Sequence, residues 1–226
     1  MNVAIVGYGK MGRMIESLAP QYGIVVSHRL DIGWNEVDLA SPPGAAIEFS
    51  TPEAAAGNLE RLAALRIPVV CGTTGWFSQL DHIRGVFNQH QTALVYSANY
   101  SIGVNVFQRL AAEAAALLND EAMYEAWAWE IHHSAKKDAP SGTLLQLTAA
   151  MRAAGYARRI DESSSRAGAH PGTHEIGFDS AADTITLRHT ARSREGFARG
   201  ALKAATWIKG KQGVHAFADV LFGNAK

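Results

Sequence analysis

The run Asn2-Val-Ala-Ile-Val-Gly7-Tyr-Gly-Lys-Met-Gly12 constrains this chain more than any other stretch. A short apolar segment ends directly in G-x-G-x-x-G, and Met11 to Leu18 then reads as a helix, the setting in which the three glycines have separate tasks. Gly7 permits a tight turn, Gly9 lets backbone approach a pyrophosphate, and Gly12 lets the helix pack on the strand. The helix N-terminus then faces an anion. Asp31, after GIVVSHRL, stands slightly beyond the usual spacing for an acid that takes ribose hydroxyls. Arg13 and Arg29 could meet a 2′-phosphate or simply be solvated. Turn glycines with no ligand are the alternative to a dinucleotide site.

From Asn2 to about Val95, the β-rich runs NVAIVG, GIVVSHRL, AAIEFS, IPVVCG and ALVYSA are separated by longer segments, helical at Met11 to Leu18 and Pro52 to Leu65. That rhythm predicts a Rossmann-like parallel α/β sheet. Pro52 suits the first turn of its helix, with Ser50 or Thr51 as cap. Cys71-Gly72-Thr73-Thr74-Gly75 closes the fourth run, at the carboxyl edge where open sheets bind ligands.

The Asn99–Gly103 segment breaks this pattern. Beyond it, Val104 to Leu118 reads as a helix, Met123 to Ile131 alternates as a strand, and HEIGF and DTITLRHTA read as further strands beside a polar Ser163–Pro171 loop. A second α+β domain with a mainly antiparallel sheet follows. Glu195 to Lys209 and Val214 to Phe222 read as helices returning to the first sheet. The expected divisions are 1–102 for dinucleotide binding, 103–194 for substrate binding and oligomerisation, and 195–226 for the terminal helices.

Lys+Arg and Asp+Glu both number 21, so no basic excess points to nucleic acid. The single cysteine, Cys71, cannot form an internal disulfide or a structural zinc set, which fits a cytoplasmic chain. The opening apolar run is far too short to span a membrane and lacks the basic leader of a secretory signal.

The chemistry concentrates in EIHHSAKKDAPSGT, Glu130 to Thr143. Pro140 suits the first turn of a helix, Asp138 or a neighbour can cap it, and Ser141, Gly142 and Thr143 would offer free backbone N–H groups to a carboxylate. Lys136 or Lys137 would add a full positive charge. His132 and His133 end a strand leading to the same place, so the cluster suits an anionic substrate that needs a proton. A metal on the paired histidines, with His174 and Glu175 as remote partners, lacks supporting spacing, and no metal is expected. A solvated lysine turn is the plainer alternative.

These residues resemble the signature H-H-x-x-K-x-D-A-P-S-G-T of the dihydrodipicolinate reductase family, and VGYGKMGR, IEFSTPEA, VVCGTTGW, SANYSIGVNVF, RAGAHPGTHEIGF and HTARSREGFARGA accompany it in family order. The resemblance implies NAD(P)H-dependent reduction of 4-hydroxy-tetrahydrodipicolinate in lysine and diaminopimelate synthesis, by a cytoplasmic homotetramer built through the second-domain sheets. It implies catalytic roles for His132 and Lys136 in proton transfer, a substrate contact for His133, and a carboxylate held by Gly142 and Thr143 beside Ser141. It further implies that NADH or NADPH is bound by Gly7, Tyr8, Gly9, Lys10, Met11 and Gly12, by Asp31, by Gly72, Thr73 and Thr74, and by Ala98, Asn99, Tyr100 and Ser101. Ile32 stands where some relatives carry an arginine, and Lys137 occupies a variable position of the motif. Another small reductase would share the glycine turn without needing the histidine–lysine cluster, and a nonenzymatic dinucleotide sensor is a rival of a different class.

Overall fold

A computed structural model describes residues 1–34 and 41–223, so residues 35–40 of the expected first domain and 224–226 of the terminal segment lie outside the described residues. The strands are β1 (Asn2–Val6), β2 (Val25–Leu30), β3 (Ala45–Glu48), β4 (Val69–Cys71), β5 (Ala93–Tyr96), β6 (Glu125–His132), β7 (Ile160–Arg166), β8 (Thr173–Asp179), β9 (Thr184–Thr190) and β10 (Gly213–Ala216). The helices are α1 (Lys10–Leu18), α2 (Pro52–Ala64), α3 (Leu80–Gln89), α4 (Ile102–Leu117), α5 (Gly142–Ala153), α6 (Glu195–Trp207) and α7 (Phe217–Phe222). Two compact units result, Met1–Ser101 with Glu195–Lys226, and Ile102–Arg194.

The first unit is a parallel sheet in the order β10-β5-β4-β3-β1-β2. Its central strands are covered on both faces, which is why they read as continuous apolar runs rather than alternating ones. Val3, Ile5, Ile47 and Val95 pack against Ile15 and Leu18 of α1, Ala201 and Ala205 of α6 and Phe217 of α7. On the other face Val6, Ala46, Val69 and Leu94 meet Leu59 and Leu62 of α2 and Ile83 and Phe87 of α3. Burying each such large side chain contributes about 1.5–3 kcal/mol. The small residues of α6 serve close approach: a Cβ on Gly200 would collide with the Tyr100 carbonyl.

The second unit is a sheet in the order β7-β6-β8-β9, with β6–β8 and β8–β9 antiparallel and β6–β7 parallel. Ala126, Ala128, Ile176 and Phe178 face Phe107 and Ala111 of α4 and Leu144, Leu147 and Met151 of α5. Trp127 and Trp129 lie on the opposite face, half-buried, and the Trp127 indole rests where a Cβ on Gly177 would stand.

Three local expectations need correction. Ser163–Arg166 belongs to β7 rather than to a loop. Its serines carry little strand propensity, and the ladder to β6 over seven residues overrides that. Val214 to Ala216 is strand, a sixth member of the parallel sheet beside β5, and the helix begins only at Phe217. Pro140 lies outside α5, whose cap is Ser141, with the Ser141 hydroxyl accepting from the Leu144 N–H at 3.2 Å. The helix after Pro52 is capped by Thr51, whose side chain makes no capping bond. The helix α3, which carries no distinct helical expectation above, has Ile83 and Phe87 four residues apart on one face.

Candidate functional site

In the first unit β1 lies between β2 and β3, so the chain leaves in opposite directions across the sheet there, and a crevice opens beyond the strand ends. Gly7 takes φ +87°, and a Cβ on it would strike the Phe49 carbonyl. Gly12 sits with its missing Cβ 2.6 Å from the Gly7 carbonyl, the close helix–strand contact expected of it. A Cβ at Gly9 would meet nothing within 4 Å, and Gly9 caps α1 with no side-chain bond, so the helix start remains open to an anion. A cavity of about 450 Å³ brings together Gly9, Lys10, Met11, Phe49, Ser50, Gly72, Thr73 and Thr74. The chemistry of a pyrophosphate fits this lining.

Asp31 follows β2 and is exposed, its Oδ1 accepting the Ile32 N–H at 3.1 Å. Arg29 is already engaged: its Nε donates to Glu16 at 3.1 Å, its terminal nitrogen makes a close ion pair with the same carboxylate, and its guanidinium lies 6.0 Å from the Tyr8 ring centre. The Arg29 hydrogen bond holds the Glu16 carboxyl below its usual range. Tyr8 also donates to Glu16, so its hydroxyl is occupied, and Arg13 lies 5.9 Å from the Tyr8 ring centre. Asn99 organises its own turn, with the Ser101 N–H donating to Asn99 Oδ1 at 2.9 Å. Tyr100 is 2% exposed, and its phenol lies 3.0 Å from the Cys71 carbonyl and 2.9 Å from that of Val95. Burial pushes the phenol's pKa well up. The Tyr100 side chain is thus a core strut.

Beneath the cavity lies a buried carboxylate to which the sequence reading gave no role. Glu48 Oε1 accepts from the Ser50 N–H at 3.2 Å and from Asn58 Nδ2 at 3.3 Å, and it also takes the Ser50 hydroxyl. Its other oxygen faces the Cys71 thiol at 3.2 Å. Ser50 N–H also donates to Thr73 Oγ1 at 2.8 Å, tying the loops after β3 and β4 together. A charged residue at the end of the otherwise apolar AAIE run was the signal for it.

In the second unit, alternation along β6 turns Ala126, Ala128, Glu130 and His132 inward. His133, next in sequence, is only half-buried. Glu130 is fully buried; Oε1 accepts the Ser141 N–H at 2.8 Å, the Ser164 hydroxyl at 2.9 Å and Arg166 Nη2 at 2.9 Å, while Oε2 takes the Ser141 hydroxyl. His132 Nδ1 and His174 Nε2 stand 3.3 and 3.2 Å from Oε2. Burial raises the Glu130 pKa, but hydrogen bonds from Ser141, Arg166 and Ser164 outweigh it and hold the carboxyl at about 2. Burial, with His132 beside it, brings His174 down to about 4. Burial likewise lowers His132, with Glu130 opposing.

Ser141 is 2% exposed and both its polar groups are engaged by Glu130, which sets it apart from Gly142 and Thr143, its expected companions on a substrate carboxylate. Gly142 and Thr143 form the first turn of α5, exposed and half-buried. Lys136 is half-buried and binds both oxygens of Asp138, at 2.8 and 3.0 Å, and this contact is the main cause of the lowered Asp138 pKa. Lys137 is exposed. Donor atoms of Glu130, His132 and His174 lie within 4.8 Å of one another, a spacing a cation could use, but Arg166 already supplies the counter-charge. A cavity of about 620 Å³ in this unit lies at the opposite end of β6 among Tyr124, Trp127, Arg158 and Asp161 and holds none of the expected residues.

A glycine-turn crevice in one unit, and in the other a buried histidine beside a lysine turn at a helix start, are the features of a pyridine-nucleotide oxidoreductase. The chain matches the family descriptions "Dihydrodipicolinate reductase, N-terminus" over residues 1–100 and "Dihydrodipicolinate reductase, C-terminus" over residues 103–221. It belongs to the dihydrodipicolinate reductase family. It is 36% identical over 235 residues to the 4-hydroxy-tetrahydrodipicolinate reductase of Christiangramia forsetii, covering 98% of each chain. It is 34% identical to that of Thermosipho africanus, again covering 98% of each. Among solved structures, the dipicolinate-bound dihydrodipicolinate reductase of Paenisporosarcina sp. TG-14 has the same fold, with a TM-score of 0.82 at 18% identity over 96% of this chain and 97% of that one. No described helix is long and apolar enough to cross a membrane.

Proposed function

We propose that the chain reduces 4-hydroxy-tetrahydrodipicolinate to tetrahydrodipicolinate with NADH or NADPH, in lysine and diaminopimelate biosynthesis. The observation that carries this is that His132 and the start of α5 meet at the buried Glu130 carboxylate, while the Lys136 turn is tied to the same carboxylate through Arg166, which also donates to the Asp138 carbonyl. When bound, the nicotinamide supplies hydride. The chain's own residues then have separable tasks. Backbone N–H groups of Gly142 and Thr143, at the positive end of α5, hold a ring carboxylate. His133 adds a contact to the substrate. The Lys136 ammonium exchanges Asp138 for that dicarboxylate and places positive charge against the ring, where electron density accumulates. His132 carries the proton that the reduced ring must receive, a step worth about 10²–10⁴-fold when the acid is well placed.

The phosphates are held by the turn from Gly7 to Gly12 and by Gly72 to Thr74, with the backbone of Ala98 to Ser101 nearby in sequence to β5. Asp31 takes the ribose hydroxyls. Because Arg29 is held by Glu16, it offers a 2′-phosphate little, which favours NADH without barring NADPH. The enzyme works in the cytoplasm as a homotetramer, whose sheets cover the Trp127 and Trp129 face left open in one copy.

The test is the absorbance of the reduced nicotinamide in the presence of enzymatically generated substrate. Substrate-dependent cofactor oxidation supports the reductase; nucleotide binding without turnover supports a sensor instead.

A further inference from the structure

The Glu130 carboxylate joins four elements: its own strand β6, the cap of α5 through Ser141, β7 through Ser164 and Arg166, and β8 through His174. Such a charge in an inward-facing register with Ala126 and Ala128 costs several kcal/mol in desolvation unless compensated. Three donors compensate it at Oε1. At Oε2 the arrangement differs, because among the described residues the groups that stand close besides the Ser141 hydroxyl are two imidazole nitrogens, His132 Nδ1 and His174 Nε2. His132 Nδ1 is buried and makes no hydrogen bond in this state, although it stands 3.3 Å from Oε2. A neutral imidazole with its hydrogen on Nε2 has no donor there; an imidazolium has one on each nitrogen. At 3.3 Å from the carboxylate, the protonated ring gains an ion-pair contact on its Nδ1 side.

We propose that Glu130 is a positioning residue for the reaction, pairing as an anion with protonated His132 on its Nδ1 side so that Nε2–H is left to deliver its proton, and fixing the start of α5 from the same carboxylate. The inference rests on His132 being the proton carrier of the proposed reductase. The groups facing His132 are Glu130 on its own strand, Lys136 and Asp138 on the following loop, Arg166 on β7 and His174 on β8. Of these Glu130 most strongly favours the charged ring, opposing burial, while Lys136 and Arg166 disfavour it. Removing the Glu130 charge thus makes His132 surrender its proton at lower pH.

The experiment is a Glu130→Gln variant, followed by histidine-labelled NMR titration of His132 and by pH profiles of kcat and kcat/KM. The His132 titration should move down by about one unit, as for loss of an adjacent opposite charge. The basic limb of kcat/KM should move with it, kcat should fall about tenfold or more, and NADH affinity should stay unchanged. Because Glu130→Gln leaves Arg166 unpaired in a buried place, the double variant Glu130→Gln with Arg166→Met restores the balance of charge and should move His132 in the same direction, by less. An unmoved or raised His132 titration in folded Glu130→Gln, or in the double variant where the single one does not fold, overturns the proposal. The NMR arm needs no turnover, so a wild type that never oxidises cofactor would sink the reductase assignment while leaving the His132–Glu130 pairing decided on its own evidence.

Discussion

Among the described residues each unit buries one carboxylate completely, Glu48 at the end of β3 in the first and Glu130 two residues before the end of β6 in the second, and the two are compensated in opposite styles. Around Glu48 the donors are neutral: the Ser50 N–H and hydroxyl, Asn58 and the Cys71 thiol, with no ion pair to it among the described residues. Around Glu130 stand a guanidinium, two serines and two histidines. A carboxylate held by neutral donors can tie loops together and do little more. One that also faces imidazole rings is coupled to proton binding. On the proposed function, the unit assigned the cofactor calls for rigid loops, whereas the unit assigned the proton step calls for a charge that responds to one.

The sharpest way to break this contrast is to change charge in the second unit at two neighbouring positions. Lys136→Ala is expected to lower kcat/KM at least about a hundredfold, equivalent to about 2.7 kcal/mol, while Lys137→Ala stays within a few-fold. Lys137 is exposed and only Lys136 grips Asp138 beside the start of α5. Steady-state kinetics on both variants decides it, and equal losses would leave only a diffuse electrostatic role.

The next effect is on stability. His174 has its pKa lowered from 6.5 to about 4 in the folded chain, so the unfolded chain binds more protons between those values. Its contribution is fully present above pH 6.5 and is lost as pH falls toward about 4. The loss is on the order of 3 kcal/mol for a shift of that size. Urea unfolding across that range should show the decline in the wild type and a flatter profile in His174→Gln. Glu130 adds a second decline only at lower pH, toward about 2.

A smaller effect is expected at Glu48. Glu48→Gln keeps an acceptor for Ser50 and Asn58, so it should lower the unfolding free energy by about 1 kcal/mol or less, and the kcat pH profile should not move. A shift of that profile equal to the one from Glu130→Gln would erase the distinction between the two carboxylates. Smallest of all, Asp31→Ala should raise KM for NADH a few-fold more than for NADPH, since a free ribose hydroxyl loses its acceptor. Equal changes in the two KM values would remove Asp31 from the ribose.

Much of this arrangement was legible beforehand, for identifiable reasons. The glycine turn and the five parallel strands were readable because short apolar runs, a Gly-rich turn and helical spacing agree locally. The histidine–lysine–helix stretch was readable because it is contiguous. The strand β7 was not, since IDESSSR has only Ile160 buried and owes its conformation to pairing with β6. The strand β10 was missed because four residues beside a short helix carry too little pattern, and partnership with β5 decides. Glu130 and Glu48 were both visible as charges in apolar registers, but their partners Ser164, Arg166, Asn58 and Cys71 lie distant in sequence, and only the fold brings them together. Ser141 was assigned to a substrate carboxylate for the same reason: its cap position was nearly legible, its engagement by Glu130 was not.

The central claim is that proton chemistry resides in the second unit and cofactor binding in the first. His132→Ala tests it most directly, with kcat measured by cofactor oxidation and NADH affinity measured separately by fluorescence on the same preparation. The expected result is a fall in kcat of about a hundredfold or more with NADH affinity unchanged. A His132→Ala enzyme that turns over at the wild-type rate, or one whose loss lies wholly in NADH affinity, would contradict it.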